Sequence, residues 1–360
     1  MSGTSLDATD AALILTDGVQ VLEFGPVAER KYSTVERQIL QDATDAARAW
    51  NWTGPAPDDV FEAARRVVTH THAEAWEMLQ AGGGKGVVAT LAGVHGQTVL
   101  HRRSKPGHPG ATLQLIDPLG LQTALGVPLA YDFRTADVAA GGQGAPLAPV
   151  YHGALLERAG DGASAVLNLG GVANITARMA DGTLFAFDTG PANGPIDEWV
   201  EGYGKGTHDV GGAFAAAGRV HEGLLVQLLD HDWFAELPPK SLDRYDFNAS
   251  MARGLSFEDG AATLTAFSAR AVAAGVAQLP DTPERVIVCG GGRHNPSMMA
   301  ALRGALPCAV LSAEDAGWRG DSIEAEAFAF LAARTVRGLP LSWPTTTGVP
   351  AAITGGRLAG

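Results

Sequence analysis

The sequence predicts an α/β fold built as two domains, and three observations carry that prediction. Glycine is abundant, 46 of 360 residues, and gathers between apolar runs, the punctuation expected of alternating strands and helices. A polar, glycine-bearing turn adjoins an apolar run three times: residues 2–10 lead into 11–15, residues 168–176 follow 165–167, and residues 289–293 follow 286–288. A long helical pattern ends in glycines and is succeeded at once by an apolar run of strand length, residues 87–92. A chain of 360 residues suits two domains of ordinary size.

Taken in order, the chain opens on Ser2-Gly3-Thr4-Ser5-Leu6-Asp7-Ala8-Thr9-Asp10. Small hydroxyl residues and glycine let backbone N–H groups close around an anion, and carboxylates beside such a nest suit a magnesium ion that offsets phosphate charge. The opening is therefore expected to be a nucleotide-phosphate hairpin, against the plainer reading of an ordinary polar turn. Residues 19–28 read as the next strand. Asp58 and Asp59 can cap a helix whose apolar face runs Val60, Ala63, Ala64, Val67, Val68, Thr71, Ala75 and Leu79, ended by Gly82-Gly83-Gly84. Residues 87–92 read as a buried strand that delivers His95, Gln97 and Thr98 beyond its carboxyl end, where open α/β sheets bind ligands. A further strand-and-helix unit begins at Leu113-Gln114, and residues 128–134 form a strand ending in Asp132 and Arg134. Breaker-rich residues 139–146 mark the domain boundary, with 1–148 and 321–360 in the first domain and 149–320 in the second. Helices are expected over 212–231, 258–279 and 321–337, the last with Ile323, Ala327, Phe330, Leu331 and Arg334 on one side, and an extended tail beyond Pro340.

Bulk properties narrow the function. A formal net charge of −13 argues against a nucleic-acid partner, which needs clustered Lys and Arg. The one basic cluster, His101-Arg102-Arg103-Ser104-Lys105, reads as a solvated loop ahead of an anion clamp. The two cysteines, Cys289 and Cys308, form no C-x-x-C pair and fit free buried thiols of a reducing compartment. The opening residues are polar and acidic, unlike a signal peptide, and no apolar run reaches the length of about 18 residues that a membrane span needs. A cytoplasmic protein with no membrane partner is expected. His70 and His72 are two apart, the wrong spacing for joint ligation, and no zinc-like cluster is visible. Asp188, in Phe187-Asp188-Thr189-Gly190-Pro191, stands at an expected strand end, where an acid serves as a general base or simply caps a turn.

Several of these segments together carry a family resemblance. They are Met1-Ser2-Gly3-Thr4-Ser5-Leu6-Asp7, His95-Gly96-Gln97-Thr98, Leu113-Gln114 with Asp117-Pro118, Asp132-Phe133-Arg134, and the glycine-rich run from Ala139 to Leu147. Asn168-Leu169-Gly170-Gly171, Phe187-Asp188-Thr189-Gly190-Pro191 and Glu324-Ala325-Glu326-Ala327-Phe328-Ala329 complete the set. Across nearly its whole length the chain resembles the anhydro-N-acetylmuramic acid kinase family, a bacterial cell-wall recycling family of the acetate and sugar kinase, chaperone and actin superfamily. The resemblance implies a two-domain actin-like ATPase fold of duplicated ribonuclease H-like domains, with ATP in an interdomain cleft. It implies a coupled reaction in which water opens the 1,6-anhydro bridge while the freed oxygen takes the γ-phosphoryl group of ATP.

On that reading Asp188 is the general base. Gly3, Thr4, Ser5, Leu6, Asp7, Ala8, Thr9 and Asp10 line the phosphates, with Gly170, Gly171, Gly290, Gly291 and Gly292 from the second domain. His95, Gln97, Thr98, Gln114, Asp117, Asp132 and Arg134 hold the sugar, and Arg134 is the expected contact for its carboxylate or for phosphate. Arg134 has a structural alternative, an ion pair with Asp137. Asp7, Asp10 and, through water, Glu324 are the magnesium candidates. Glu324 and Glu326, two apart on a helix, cannot share a face. The substrates are small molecules, and a homodimer is a possible assembly. Two departures stand out. Ala8 replaces the glycine usual after Asp7, which would strain the turn if that position needs a positive φ. The chain also opens inside the hairpin, where this fold ordinarily has a preceding strand, so the natural start is expected upstream of Met1, as mass spectrometry of the native N-terminus would show. Two other functions stay open: a sugar kinase of the same fold acting on a free hydroxyl, and an ATP-driven clamp without catalysis.

Overall fold

The computed structural model describes residues 1–3, 5–82, 88–104, 109–160, 162–242 and 246–360; Thr4, Gly83, Gly84, Val87, Lys105 and His108 lie outside them. The chain divides into two units, Met1–Arg158 with Ser322–Gly360, and Ala159–Asp321.

The first unit begins with an antiparallel hairpin, β1 (Ala8–Thr16) and β2 (Val21–Lys31). Helix α1 (Thr34–Trp50) follows, closed at its start by a reciprocal capping box of Ser33 and Glu36. The periodicity reading has no helix here, although the Ser33-x-x-Glu36 spacing signals one. In α2 (Asp58–Gly82) the buried positions are Ala64, Val68, Thr71, Ala75 and Leu79, as the periodicity predicts, joined by Phe61 and His72. Then come β3 (Ala92–Gly93), β4 (Gln97–Arg102), β5 (Ala111–Leu115), α3 (Pro118–Leu125), β6 (Leu129–Tyr131), α4 (Thr135–Ala139) and α5 (Pro149–Ala159). The strand expected over 87–92 shrinks to β3, because only β6 pairs with it; Val88 stands 78% exposed. The strand expected over 128–134 shortens to β6, since Asp132 takes a left-handed φ of +52° and turns the chain away. His101 and Arg102 of the basic cluster lie in β4 and not in a loop, with the Arg102 guanidinium 4.8 Å over the Trp52 ring.

Helix α5 belongs to the first unit, which moves the boundary from 148 to 158. The Tyr151 hydroxyl donates to the Glu326 carboxylate, and Arg158 donates to the Val21 and Leu22 carbonyls. His152 is buried on this helix, and burial pushes its imidazole down to about 4. The folded state therefore keeps His152 neutral while the unfolded chain takes up a proton below about 6.5. Its contribution is present at neutral pH and is lost as pH falls through that window. We expect the urea midpoint to drop less between pH 7 and pH 5 in His152→Gln than in the parent; identical pH dependence would contradict this.

The second unit runs β7 (Ser164–Leu169), β8 (Val172–Arg178), β9 (Leu184–Pro191), α6 (Asn193–Gly202), α7 (Ala213–Ala217), α8 (Glu222–Leu229), α9 (Phe257–Val276), β10 (Arg285–Cys289), α10 (Pro296–Ala305) and β11 (Ala309–Ser312). Its five-stranded sheet has the order β11-β10-β7-β8-β9. β7, β8 and β9 form an antiparallel meander, while β10 and β11 run parallel to β7. That order is the ribonuclease H-like topology. Ala165, Leu167, Ile175, Val272, Val286, Val288 and Leu302 are among the side chains that close its core. The single helix expected over 212–231 is two, broken at Gly218, where a Cβ would lie 1.9 Å from the Glu258 carbonyl oxygen.

The chain returns to the first unit as α11 (Ile323–Val336), β12 (Pro340–Ser342), α12 (Pro344–Thr347), β13 (Ile353–Thr354) and β14 (Arg357–Leu358), so the tail expected to be extended holds one short helix. Ile323, Ala327, Phe330, Leu331 and Arg334 of α11 are buried, as are Ala325, Glu326 and Phe328 on its other faces. The sheet order β14-β6-β3 closes this region. No described helix is long and apolar enough to cross a membrane.

Candidate functional site

In the first unit the polar candidates separate into a connected network and two residues outside it. Arg134, just past β6, donates from Nε to His95 Nε2 at 2.8 Å and from Nη1 to the Gly144 carbonyl at 2.7 Å. Because Nε2 accepts, His95 is neutral; burial, then the Arg134 charge, hold its pKa well below the ordinary value. Arg134 stays cationic, although burial pulls it down to about 10. Thr98 Oγ1 lies 3.5 Å from the same His95 nitrogen and accepts from Gln114 Nε2, which also donates to Thr112. Gln97 Nε2 donates to the Gly3 carbonyl at 3.3 Å, tying β4 to the opening turn, while its Oε1 is buried without a hydrogen-bond partner in the described structure. His95, Gln97, Thr98, Gln114 and Arg134 are thus brought together. Asp117 and Asp132 are not: Asp117 caps α3 by accepting the Gly120 N–H, and Asp132 pairs with Arg357 and accepts the Thr135 N–H. The alternative pairing of Arg134 with Asp137 is not made directly, since the Asp137 carboxylate accepts from Ser342, Thr347 and the Gly144 N–H.

The opening turn corrects several expectations. Ser5 Oγ donates to Asp7 Oδ1 at 2.6 Å, and the Ala8 N–H donates to the same oxygen at 3.0 Å. Leu6, not Ala8, carries the positive φ, +55°. Ala8 is extended in β1, so the strain considered for it does not arise. Thr9 is buried with its hydroxyl bonded to Tyr32 and Thr71, and the Leu6 side chain joins the apolar core. The side chains of Leu6, Ala8 and Thr9 therefore face inward, so that only their backbone groups are left for the phosphate role expected of them. Gly3, Ser5 and Asp7 keep the turn's surface, and Thr4 lies outside the described residues.

Asp10 is pushed up to about 6, chiefly by burial, with the Met1 ammonium opposing and Asp7, Glu29 and Glu324 adding repulsion. Glu324 has an exposed surface, yet desolvation of its carboxyl raises it above the ordinary range against the pull of Arg134 and the Met1 ammonium. Among the described residues no three His, Cys, Asp or Glu side chains converge to hold a metal ion, so Asp7, Asp10 and Glu324 do not form a direct ligand cage. Glu326 points elsewhere, to Tyr151, as two acids two apart on a helix must.

In the second unit the glycine turns meet at one end of the sheet. The Asn193 side chain at the start of α6 donates to the Leu169 and Gly170 carbonyls, and the Gly194 N–H donates to Gly171. Gly290 has φ +76°, and a Cβ there would lie 2.4 Å from Asn168 Oδ1; one on Gly292 would lie 2.6 Å from Leu169 Cβ. Gly170 with Gly171 and the Gly290-Gly291-Gly292 turn are therefore packed at the carboxyl ends of two parallel strands, β7 and β10, the end where such sheets bind ligands. Beside them opens a cavity of about 300 Å³ lined by Asn193, Asp197, His208, Asp209, Gly291 and Gly292, among others.

Asp188 lies within β9 and not at its end, next to a break in register: Asn174 pairs with Asp188 while Ala173 pairs with Gly190. Such a bulge re-aims side chains. The half-buried carboxylate accepts the Leu242 N–H at 2.7 Å, and the Asp188 N–H donates to the Lys240 carbonyl. Lys240 in turn is buried, its ammonium donating to the Trp233 and Phe234 carbonyls and lying 4.4 Å over the Trp233 ring. This strut fixes the acid in place.

The family described as anhydro-N-acetylmuramic acid kinase matches residues 1–359. The chain belongs to the anhydro-N-acetylmuramic acid kinase family. It is 54% identical to the anhydro-N-acetylmuramic acid kinase of Caulobacter vibrioides, over 100% of this chain and 97% of that one. The protein of that name from Rhizobium rhizogenes is 51% identical over the same shares. Among solved structures, component A of (R)-2-hydroxyglutaryl-CoA dehydratase from Acidaminococcus fermentans covers 92% of this chain and 95% of its own at 14% identity, with a TM-score of 0.42, too loose a likeness to build on.

Asn193, Asp209 and Lys240, none of them among the expected site residues, hold the surroundings of the glycine turns and of Asp188 in place. Asn193 stands two residues beyond Phe187-Asp188-Thr189-Gly190-Pro191, and its amide at the start of α6 signals a turn-locking role. Asp209 stands before a Gly-Gly pair and caps α7 by accepting the Phe214 and Ala215 N–H groups. Nothing local marks Lys240, whose role arises only from folding.

Proposed function

We propose that this protein is an ATP-dependent kinase that opens 1,6-anhydro-N-acetylmuramic acid with water and phosphorylates it, giving N-acetylmuramic acid 6-phosphate and ADP. The full-length family match carries this reading, and the geometry of Asp188 supports it. The carboxylate, oriented by Leu242, takes a proton from water as the water oxygen bonds to the anomeric carbon. The bond from that carbon to the bridging oxygen breaks, and the released oxygen takes the γ-phosphoryl group, so no separate acid is required. A modest base suffices because the anomeric carbon carries positive charge in an oxocarbenium-like transition state.

The first unit supplies the sugar contacts: Arg134 for the lactyl carboxylate, and Gln97, Thr98 and Gln114 for hydroxyl or amide groups. The glycine turns of the second unit leave room for the nucleotide and present backbone to its phosphates. Asp10 and Glu324 are acids whose desolvation raises them above the ordinary range, a cost that a cation would offset, so the donor set fits Mg²⁺ held through its water shell, with Asp7 nearby. When bound, Mg²⁺ would offset the charge of the triphosphate. A cytoplasmic location follows from the need for ATP. The test is incubation with ATP, Mg²⁺ and the anhydro sugar, following ADP and sugar phosphate. Stoichiometric formation of both is expected. Turnover of N-acetylmuramic acid itself with no turnover of the anhydro form would move the protein to a kinase of free hydroxyl groups.

A further inference from the structure

His101, the imidazole of the basic cluster, stands on β4 directly opposite Thr112 of β5 and is half-buried. Its two ring nitrogens join different parts of the first unit. Nε2 lies 2.9 Å from the Gln143 carbonyl, in the glycine-rich segment between α4 and α5, and Nδ1 lies 3.1 Å from Thr112 Oγ1. A carbonyl can only accept, so Nε2 carries the proton. Burial, then the nearby Arg134 charge, lowers the pKa of the ring, which is therefore neutral at ordinary pH. Nδ1 is left to accept from the Thr112 hydroxyl.

With that tautomer each neighbouring bond has a direction. Gln114 Nε2 donates to Thr112 Oγ1 at 2.7 Å and to Thr98 Oγ1 at 3.2 Å. Thr98 Oγ1 lies 3.5 Å from His95 Nε2, the nitrogen that accepts from Arg134 Nε. Arg134 Nη1 then reaches the Gly144 carbonyl, one residue after the Gln143 carbonyl that His101 holds. The contacts close into a ring from His101 through Thr112, Gln114, Thr98 and His95 to Arg134, and back along the chain from Gly144 to Gln143. Members of such a network support one another, so loss of one loosens the rest.

The 143–144 segment is where the ring meets the backbone. The Gln143 N–H donates to the Thr347 carbonyl at 2.8 Å, and the Gly144 N–H donates to Asp137 Oδ1 at 2.6 Å. Gly144 has φ +71°, and a Cβ there would lie 3.0 Å from His101 Cε1 and 2.5 Å from a Val138 methyl. The imidazole thus packs on the very residue whose carbonyl receives the Arg134 guanidinium.

We propose that His101 is a positioning residue for substrate recognition. By holding the Gln143 carbonyl and packing on Gly144, it fixes the carbonyl that orients Arg134, and it acts through Arg134 and not by contact with the sugar. This rests on the assignment of Arg134 to the sugar carboxylate.

The test compares His101→Gln with His101→Phe in the full chain. Gln offers an N–H near the place of Nε2, whereas Phe fills the same space with no polar atom. In His101→Phe, KM for the anhydro sugar should rise about tenfold while kcat and KM for ATP stay within about twofold of the parent, the pattern of binding lost equally in ground and transition states. His101→Gln should recover most of that loss. A second measurement needs no substrate. The Arg134 Nε–H resonance, assigned by its disappearance in Arg134→Gln, should exchange with water about tenfold faster in His101→Phe than in the parent, and near the parental rate in His101→Gln. Failure of the kinase reading would show as absent turnover with this exchange pattern intact. Unchanged Arg134 exchange in a folded His101→Phe variant would overturn the proposal. So would equal losses in the two variants, or a rise in KM for ATP that matches the rise for the sugar.

Discussion

Asp188→Asn is expected to bind ATP as the parent does and to turn over about 100- to 10,000-fold more slowly, the usual worth of a positioned general base. The substitution is nearly isosteric, and the amide oxygen can still accept the Leu242 N–H, so the strut through Lys240 and Trp233 survives. The nucleotide contacts assigned to the second unit lie in the glycine turns, which Asp188 does not join. Nucleotide affinity and melting temperature therefore stay near parental values while single-turnover rates fall. Turnover within a few-fold of the parent would remove Asp188 from the role of base. Lys240→Met is the companion variant. Loss of its bonds to the Trp233 and Phe234 carbonyls should lower turnover less, and together with stability.

Arg134→Gln should raise KM for the anhydro sugar about 10- to 100-fold with kcat little changed, since a hydrogen bond to a charged group is worth roughly 1.5–3 kcal/mol. The side chain is held at two points, on His95 and on the Gly144 carbonyl, so a guanidinium is presented in a fixed orientation. A control separates recognition from structure. An anhydro sugar lacking the lactyl acid should bind the parent poorly and be nearly indifferent to the substitution, because the lost partner is absent from both. Equal losses with both sugars would show that Arg134 acts by holding His95 in place and not by meeting the carboxylate. Lys at this position restores charge without the planar fork, so only partial rescue is expected.

What could be read from sequence was set by how local each cause is. The inward face of α2, at Ala64, Val68, Thr71, Ala75 and Leu79, and that of α11 depend on neighbours a few residues apart and match the structure, whereas the turn expected over 168–176 is mostly strand, β7 ending at Leu169 and β8 starting at Val172. The Ser33-Glu36 capping box is equally local, but it marks a helix by its cap and not by the apolar periodicity on which the other helices are read. Strand lengths at 87–92 and 128–134 were overestimated because a ladder needs a partner, and partners lie far away in sequence. The site divides the same way. His95, Gln97, Thr98, Gln114 and Arg134 share a network because β4, β5 and β6 converge. Asp117 and Asp132 look alike on paper but are consumed by helix α3 and by Arg357. Leu6 and Thr9 sit among phosphate-type residues, but alternation in a turn-to-strand junction sends their side chains to the core. Lys240 could not be found from sequence, since a buried cation on backbone carbonyls announces itself only after folding.

The coupled opening and phosphoryl transfer are tested most directly by turnover in ¹⁸O-water, with the products weighed before the anomeric hydroxyl exchanges. One ¹⁸O at the anomeric carbon of the sugar phosphate, and none in the phosphoryl group, is the predicted result. Sugar phosphate without label, or label appearing in inorganic phosphate instead, would contradict it.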